Sequence, residues 1–281
     1  MNMKNRSDKI VLVTGASSGI GQATAELLAS AGYTVYGTSR RGGGESGSSF
    51  EMLRLDVTSD ASVADAVTQV VQREGRIDLL VNNAGFGVAP AGAEESSIEQ
   101  AQAIFDTNFF GIVRMTRAVL PHMRKQGAGR IINIGSVLGL LPMPYGALYA
   151  ATKHAIEGYS ESLDHELRTR GIRVSVIEPA YTNTPFDANF LQPDAKLDAY
   201  REARTAVSQR VKEVMATADQ PGVVAEIVLK AASAARPRLR YTAGGLAGRL
   251  TWLRRFAPAG IMDAGIRWDL RLDATSPVKS S

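Results

Sequence analysis

Apolar residues along this chain fall into short unbroken runs, separated by longer stretches in which they recur every three or four positions. Ile10 to Thr14, Thr34 to Thr38, Met52 to Leu55, Ile77 to Val81, Ile131 to Ile134 and Val174 to Ile177 have the length and composition of strands. Between them, Ile20 to Ala31 and Ser62 to Arg73 carry apolar residues at helical spacing, the first closed by Gly32. Two longer helices are predicted, from about Ser97 to Lys125 and from about Tyr149 to Arg170. A further helix, Gly222 to Ala235, precedes a last short strand at Arg240 to Thr242. Buried strands alternating with helices predict a doubly wound α/β architecture, a parallel sheet covered on both faces.

Two stretches break the pattern. Residues 181–218 are polar, interrupted by proline and rich in helix formers, which predicts a helical insertion covering a substrate site. Residues 244–273, rich in glycine and bearing tryptophan and arginine, read as a C-terminal extension lying on the sheet. No long low-complexity linker divides the 281 residues, so residues 1–281 are expected to form a single domain. With 44% hydrophobic and 21% charged residues, the chain can bury a core large enough to fold unaided.

The formal net charge of +4 is spread out apart from pairs such as Arg40-Arg41 and Arg254-Arg255. That describes a basic surface, not the concentrated patch of a nucleic-acid binder. Cysteine is absent, which excludes disulfides and thiolate catalysis, and the three histidines show no zinc-binding spacing, so no metal site is expected. Residues 1–9 lack the apolar centre of a secretory signal, and no run approaches the ~20 apolar residues of a spanning helix. A cytoplasmic location is the resulting expectation.

Gly15, Gly19 and Gly21, interleaved with Ser17, Ser18 and Ile20, stand between the first strand and the first helix. Missing side chains there let the backbone approach a pyrophosphate, and the helix N-terminus offers it free N–H groups. The turn therefore predicts a Rossmann-like dinucleotide site. An NAD site would place a carboxylate roughly 20 residues further on to accept the ribose hydroxyl. This chain has Ser39-Arg40-Arg41 instead. A guanidinium binds a phosphate dianion bidentately and gains little from a neutral hydroxyl, so the expected cofactor is NADP(H), with Arg40 as the discriminator.

Tyr149 and Lys153 are four residues apart on a predicted helix. That spacing is a rise of ~6 Å with only ~40° of rotation beyond a full turn, so both project from one face. A phenol of pKa ~10 is a poor base at neutral pH. A cation about 4 Å away favours the phenolate by about 4 kcal/mol at an effective dielectric of ~20, less what desolvation takes back. Tyr149 can then give a proton to an alkoxide forming from a carbonyl, or take one from an alcohol, while Ser136 hydrogen-bonds the same oxygen. Tyr145 is a rival phenol, but it has no lysine at helical spacing.

Taken together, these residues resemble the short-chain dehydrogenase/reductase family. Thr14 to Gly21 matches its cofactor turn, Asn82-Asn83-Ala84-Gly85 its mid-sheet motif, Asn108 its helix asparagine, and Ser136, Tyr149 and Lys153 its active site. The resemblance implies that Asp56 and Val57 contact the adenine and that Asn82, Ala84 and Gly85 lie along the cofactor. It implies that Asn108 holds a water in a proton relay from Lys153, and that the Lys153 ammonium binds the nicotinamide ribose. Where the family usually has Pro-Gly and then a threonine, this chain has Pro179-Ala180 and Thr184; the carboxamide contact is carried over to Thr184, while Ala180 departs from the pattern. The family commonly forms homodimers or homotetramers through its two long helices.

The Tyr36 to Arg40 segment and the long C-terminal extension resemble the branch holding 17-beta-hydroxysteroid and retinol dehydrogenases. Val137, Leu138, Leu140, Leu141, Pro142, Met143, Phe186 and Phe190 stand where a substrate wall would form, which suggests a lipophilic ketone or alcohol; the same residues can equally be core. Leu250, Trp252, Leu253, Arg254, Arg255 and Phe256 mix apolar and basic character, as a membrane-surface segment does. Packing over the cleft or on a partner subunit is favoured, because the run is short and broken by Pro258. The expected function is an NADP-dependent interconversion of carbonyl and alcohol. Its rivals are a non-catalytic cofactor sensor, for which the phenol is superfluous, and a nucleotide-sugar epimerase or dehydratase, which the modest length disfavours.

Overall fold

The protein is described here by a computed structural model covering residues 9–43, 49–186 and 190–274. Seven parallel strands form one sheet: β1 Ile10–Val13, β2 Thr34–Ser39, β3 Glu51–Arg54, β4 Leu79–Asn82, β5 Gly129–Ile134, β6 Ile172–Pro179 and β7 Arg240–Ala243. Their spatial order is β3-β2-β1-β4-β5-β6-β7. The chain thus winds outward from β1 in one direction, then restarts at β4 in the other. The two halves part between β1 and β4, and such a switch point opens a crevice at the C-terminal strand ends. β1 and β4 are buried along their whole lengths, as strands covered on both faces must be.

On one face lie α2 Asp60–Glu74, α4 Gly111–Gln126 and α5 Ala147–Leu167; α1 Gly19–Ser30 and α7 Pro221–Ser233 cover the other. Each face has its own apolar layer. Leu12, Leu80, Ile131, Met115 and Val119 are fully enclosed in the first, and Val11, Val81, Ile132, Leu28 and Val228 in the second. Successive strand residues point to opposite layers, as a period of two requires. Local signals set the helix ends. Ser59 caps α2 by accepting from Ser62 N–H, and Gly75 closes that helix in the left-handed region at φ 74°.

The predicted continuous helix from Ser97 to Lys125 is instead three pieces. These are α3 Ile98–Phe105, one π-helical turn at Asp106–Phe110, and α4. A π turn admits one extra residue into the ladder, commonly at a functional site, and here it contains Asn108. Apolar periodicity reads the same through such a bulge, so the sequence pattern gives no warning of it.

The insertion holds α6 Arg201–Met215, and the extension holds α8 Gly245–Phe256 and α9 Ala259–Asp269. Part of the insertion is tied down by Glu95. Its fully buried carboxylate accepts from Gly92 N–H at 2.6 Å and Leu197 N–H at 2.7 Å, and pairs with Arg204. Burial opposes ionisation of Glu95, but these donors bring its carboxyl below the usual range. α9 is linked to α6 by Arg210 and Asp269 at 2.6 Å. The extension does not simply lie on the sheet: Ala247 and Leu250 of α8 and Met262 of α9 pack against Val137 and Leu141.

Asp164 fastens the end of α5 to β6. It accepts from Arg173 at 2.8 Å, Val174 N–H at 2.9 Å and Arg168 at 2.5 Å. Burial would raise its carboxyl, yet these donors hold it down at about 2. The folded value lies below the unfolded one of ~3.9, so the stabilisation is fully present above about pH 4 and is lost as the pH falls through about 2. Asp164→Asn is expected to cost about 2 kcal/mol at neutral pH and to flatten the acid limb of stability between those limits. Urea denaturation as a function of pH measures both.

Candidate active site

The glycine turn is shaped by contact with the loop after β4. Gly15 adopts φ 66°, and a Cβ there would lie 2.9 Å from Ala84 Cα. A Cβ on Gly21 would stand 2.2 Å from the Gly15 carbonyl oxygen, so any side chain at that position forces the turn open. Asn83 Nδ2 donates to the carbonyls of Thr14 and Gly15, both at 3.0 Å. In return Thr14 Oγ1 accepts from the N–H groups of Asn83 and Ala84. Neither Thr14 nor Asn83 emerged from the sequence as a structural clamp, although both stand inside recognised motifs.

Ser18 occupies the N-cap of α1 without a side-chain capping bond, and the first turn holds no acid. Its N–H groups remain available to an anion. Ile20 turns into the core of that face, while Thr184 stands over Gly19, its Cβ 3.1 Å from where a Gly19 Cβ would be. The turn, the open helix end and the overlying Thr184 fit a pyrophosphate-bearing cofactor. Ala180 introduces no strain: among the described residues only Tyr145 and Arg271 are non-glycine residues at positive φ. A glycine is therefore not required after Pro179.

At the far side of the crevice, Arg40 is exposed just beyond β2. The Asp56 carboxylate accepts from Thr58 N–H and Oγ1 at 3.0 and 2.7 Å. Those bonds lower its pKa, with the charges of Arg40 and Arg114 adding to the effect. Val57 is buried beneath Gly111, where a Cβ would meet it at 2.8 Å. The Asn82 side chain faces inward, donating to Asn133 Oδ1 at 2.9 Å, and Asn133 donates to Ser160 Oγ at 2.9 Å. This buried polar chain ties β4, β5 and α5 together, and strand periodicity alone does not reveal it.

The expected catalytic residues converge at the C-terminal ends of β4 and β5. Lys153 and Tyr149 share one face of α5, with Nζ 5.4 Å from the centroid of the phenol ring. Only 8% of Lys153 is exposed, and Nζ donates to the Ile134 carbonyl at 2.8 Å. Burial pulls the ammonium down to about 8, and the charge of Glu157 opposes that fall. Ser136 begins the 3-10 turn Val137–Gly139; its Oγ accepts from Leu138 N–H at 3.1 Å and donates to Pro179 O at 3.4 Å. A Cβ on Gly139 would come 2.9 Å from Lys153 O, so this turn rests directly on the α5 backbone.

Asn108 spends its side chain on Phe86, accepting from its N–H at 3.0 Å and donating to its carbonyl at 2.8 Å, and it also reaches Thr152 Oγ1 at 3.4 Å. Its Oδ1 lies 3.0 Å from where a Gly85 Cβ would stand. It therefore fixes the loop after β4 against α5. Tyr145, the rival phenol, is held at φ 63° before α5, and burial raises its pKa. Its phenolate is therefore harder to form at neutral pH than that of an ordinary tyrosine.

The apolar wall divides into two groups. Val137 and Leu141 are core, covered by α8, whereas Phe186 meets Tyr149 edge to face at 5.8 Å and Phe190 at 5.4 Å, with Gly87 beneath both rings. The extension is likewise only partly inward. Arg254 donates to Leu140 O at 3.0 Å, but Trp252 is 62% exposed, and Phe256, Ile261 and Trp268 also face outward. Among the described residues, no helix is long and apolar enough to cross a membrane.

The chain is 46% identical over 181 residues to a 3-ketodihydrosphingosine reductase of Bacteroides thetaiotaomicron, a match spanning 64% of this chain and 66% of that protein. It is 34% identical over 273 residues to retinol dehydrogenase 8 of Bos taurus, covering 90% of this chain and 86% of the relative. The crystal structure of a short-chain dehydrogenase from Streptomyces avermitilis superposes with a TM-score of 0.80 at 31% identity, over 97% of this chain and 100% of that one. With the family model for short chain dehydrogenase matching residues 9–195 as well, the chain belongs to the short-chain dehydrogenase/reductase family and is an oxidoreductase of the NAD(P)(H)-binding fold.

Proposed function

We propose that the protein is an NADP(H)-dependent oxidoreductase that interconverts a carbonyl and an alcohol on a lipophilic small molecule, with Tyr149 as general acid and base. The observation that carries this reading is the buried Lys153 ammonium, 5.4 Å from the Tyr149 ring on the same helix face. A cation so placed stabilises the phenolate and lets the hydroxyl exchange a proton near neutral pH.

The cofactor, when bound, supplies or accepts the hydride. Gly15, Ser17, Ser18, Gly19, Ile20 and Gly21 form the bed for its pyrophosphate, Asp56 and Val57 border the adenine, and Asn82, Ala84, Gly85, Pro179 and Thr184 lead to the nicotinamide. Lys153 would hold the ribose, and the water of the relay would sit beside Asn108, whose side-chain hydrogen bonds go to Phe86. During reduction Tyr149 donates its proton to the forming alkoxide; in the reverse direction it removes the proton from the alcohol. Ser136 directs a hydrogen bond to the same oxygen.

Preference for the phosphorylated cofactor rests on Arg40, exposed beside the crevice with no acid at the end of β2. A lipophilic substrate is supported by Phe186 beside Tyr149, with Phe190 packed on Phe186. The two curated relatives, one named for a sphingoid ketone and one for retinol, agree with that class. Self-association through the two long helices is proposed by analogy with the family.

Tyr149→Phe is expected to lower kcat/KM by about 10²–10⁴-fold while NADPH binding survives. NADPH consumption across aldehydes, retinoids, steroids and 3-oxoacyl compounds tests this; a parent protein that turns over none of them would instead be a cofactor sensor. Arg40→Asp should weaken NADPH relative to NADH by about tenfold or more, through loss of charge-assisted hydrogen bonds; an unchanged preference removes the assignment. Gly21→Ala should abolish binding of both nucleotides, as read by isothermal titration calorimetry.

A further inference from the structure

Behind the proposed catalytic set lies a group of charges that the reaction as described does not use. Glu157 stands one helical turn beyond Lys153 and is 6% exposed; Glu178, on β6 before Pro179, is fully buried. Arg240, the first residue of β7, reaches both acids. Its Nε is 2.9 Å from Glu157 Oε2 and 3.6 Å from Glu178 Oε1, and a second guanidinium nitrogen is 2.8 Å from Glu161. Glu157 Oε1 and both Glu178 oxygens meet no hydrogen-bond partner among the described residues. Glu157 Oε1 instead lies against the glycines that flank the Ser136 turn. A Cβ on Gly135 would approach it to 3.2 Å and one on Gly139 to 3.3 Å.

Two enclosed carboxylates beside one guanidinium compete for it, and each disfavours the charge of the other. Glu178 is the farther from Arg240 and receives no donor; burial and the charge of Glu157 push its carboxyl up to about 7. Glu157, in direct contact with the guanidinium, retains the negative charge, although burial raises its pKa against the pull of Arg240. The titratable and charged groups facing Glu157 are Lys153, His154 and Glu161 from α5, Glu178 from β6 and Arg240 from β7, and Lys153 itself also faces the Tyr149 phenol; the Ser136 turn contributes none.

We propose that Glu157 is a positioning residue of the hydride-transfer site: its buried carboxylate, fixed by Arg240 against Gly135 and Gly139, is the counter-charge that keeps the Lys153 ammonium ionised. This rests on the function proposed above. Enclosure alone works against the ammonium, which already sits at about 8 with Glu157 in place. Removing a negative charge lowers the pKa of every group near it. Neutral Glu157 variants should therefore lose the Lys153 proton at lower pH.

The test is NADPH binding by fluorescence titration between about pH 6 and pH 10, a range that brackets discharge of a perturbed lysine. The parent should lose affinity with a midpoint near 8 as Lys153 discharges. Glu157→Gln should move that midpoint to lower pH by about 0.5 or more, the scale of losing one neighbouring charge. Glu157→Ala, a second neutral variant should the first not fold, should do the same. Glu157→Asp should follow the parent, because it keeps the charge. A Glu157→Gln midpoint equal to the parent's overturns the inference. Should the parent bind neither NADPH nor NADH, the proposed function fails and this inference with it. If the parent binds and Lys153→Met weakens that binding while the Glu157 variants match the parent, only the inference fails.

Discussion

A lysine ammonium removed from water is the constraint around which this end of the sheet is organised. Nζ of Lys153 has the Ile134 carbonyl as one partner and the Tyr149 ring nearby, and burial works against its charge. An isolated buried cation of this kind is expensive unless dipoles or opposite charges surround it. The backbone at the end of β5, the phenol and the carboxylate one turn further along α5 supply that surrounding. They also bring Ser136 into place, because the turn it begins rests on α5 at Lys153 and Glu157.

The crevice follows from a second constraint, the winding of the sheet. Reversal of strand order between β1 and β4 leaves a gap at their C-terminal ends, and the loops that leave them meet across it. Asn83 and Thr14 exchange hydrogen bonds across this gap, holding the glycine turn against the loop after β4. Asn108, set in the π turn, grips the other end of the same loop through Phe86. One loop is therefore fixed from both sides, by the glycine turn and by the π turn. Such double anchoring preorganises a site at little cost when ligand arrives.

The insertion and the extension act together. Glu95 and Arg204 tie the insertion to the loop after β4, Arg210 and Asp269 tie it to α9, and α8 covers Val137 and Leu141 behind the Ser136 turn. Phe186 stands beside Tyr149 and Phe190 against Phe186, with Gly87 beneath both rings. The outward faces of α8 and α9, with Trp252 and Trp268 exposed, are separate from this packing.

Much of this was legible in the order of residues because the signals are local. Short apolar runs give strands, glycines at fixed spacing give the turn after β1, and four residues along a helix bring Tyr149 and Lys153 to one face whatever else the chain does. The structure alone decided the contacts between residues far apart in the chain. The π turn at Asn108 keeps the apolar rhythm of an ordinary helix, so nothing in that rhythm announces it. Val137 and Leu141 are apolar whether they line a cleft or fill a core, and only the docking of α8 makes them core. Glu157, Glu178 and Arg240 come from three elements up to 83 residues apart; their meeting depends on β7 pairing with β6 beside α5, a relation that periodicity cannot encode because it carries no information about distance across the sheet.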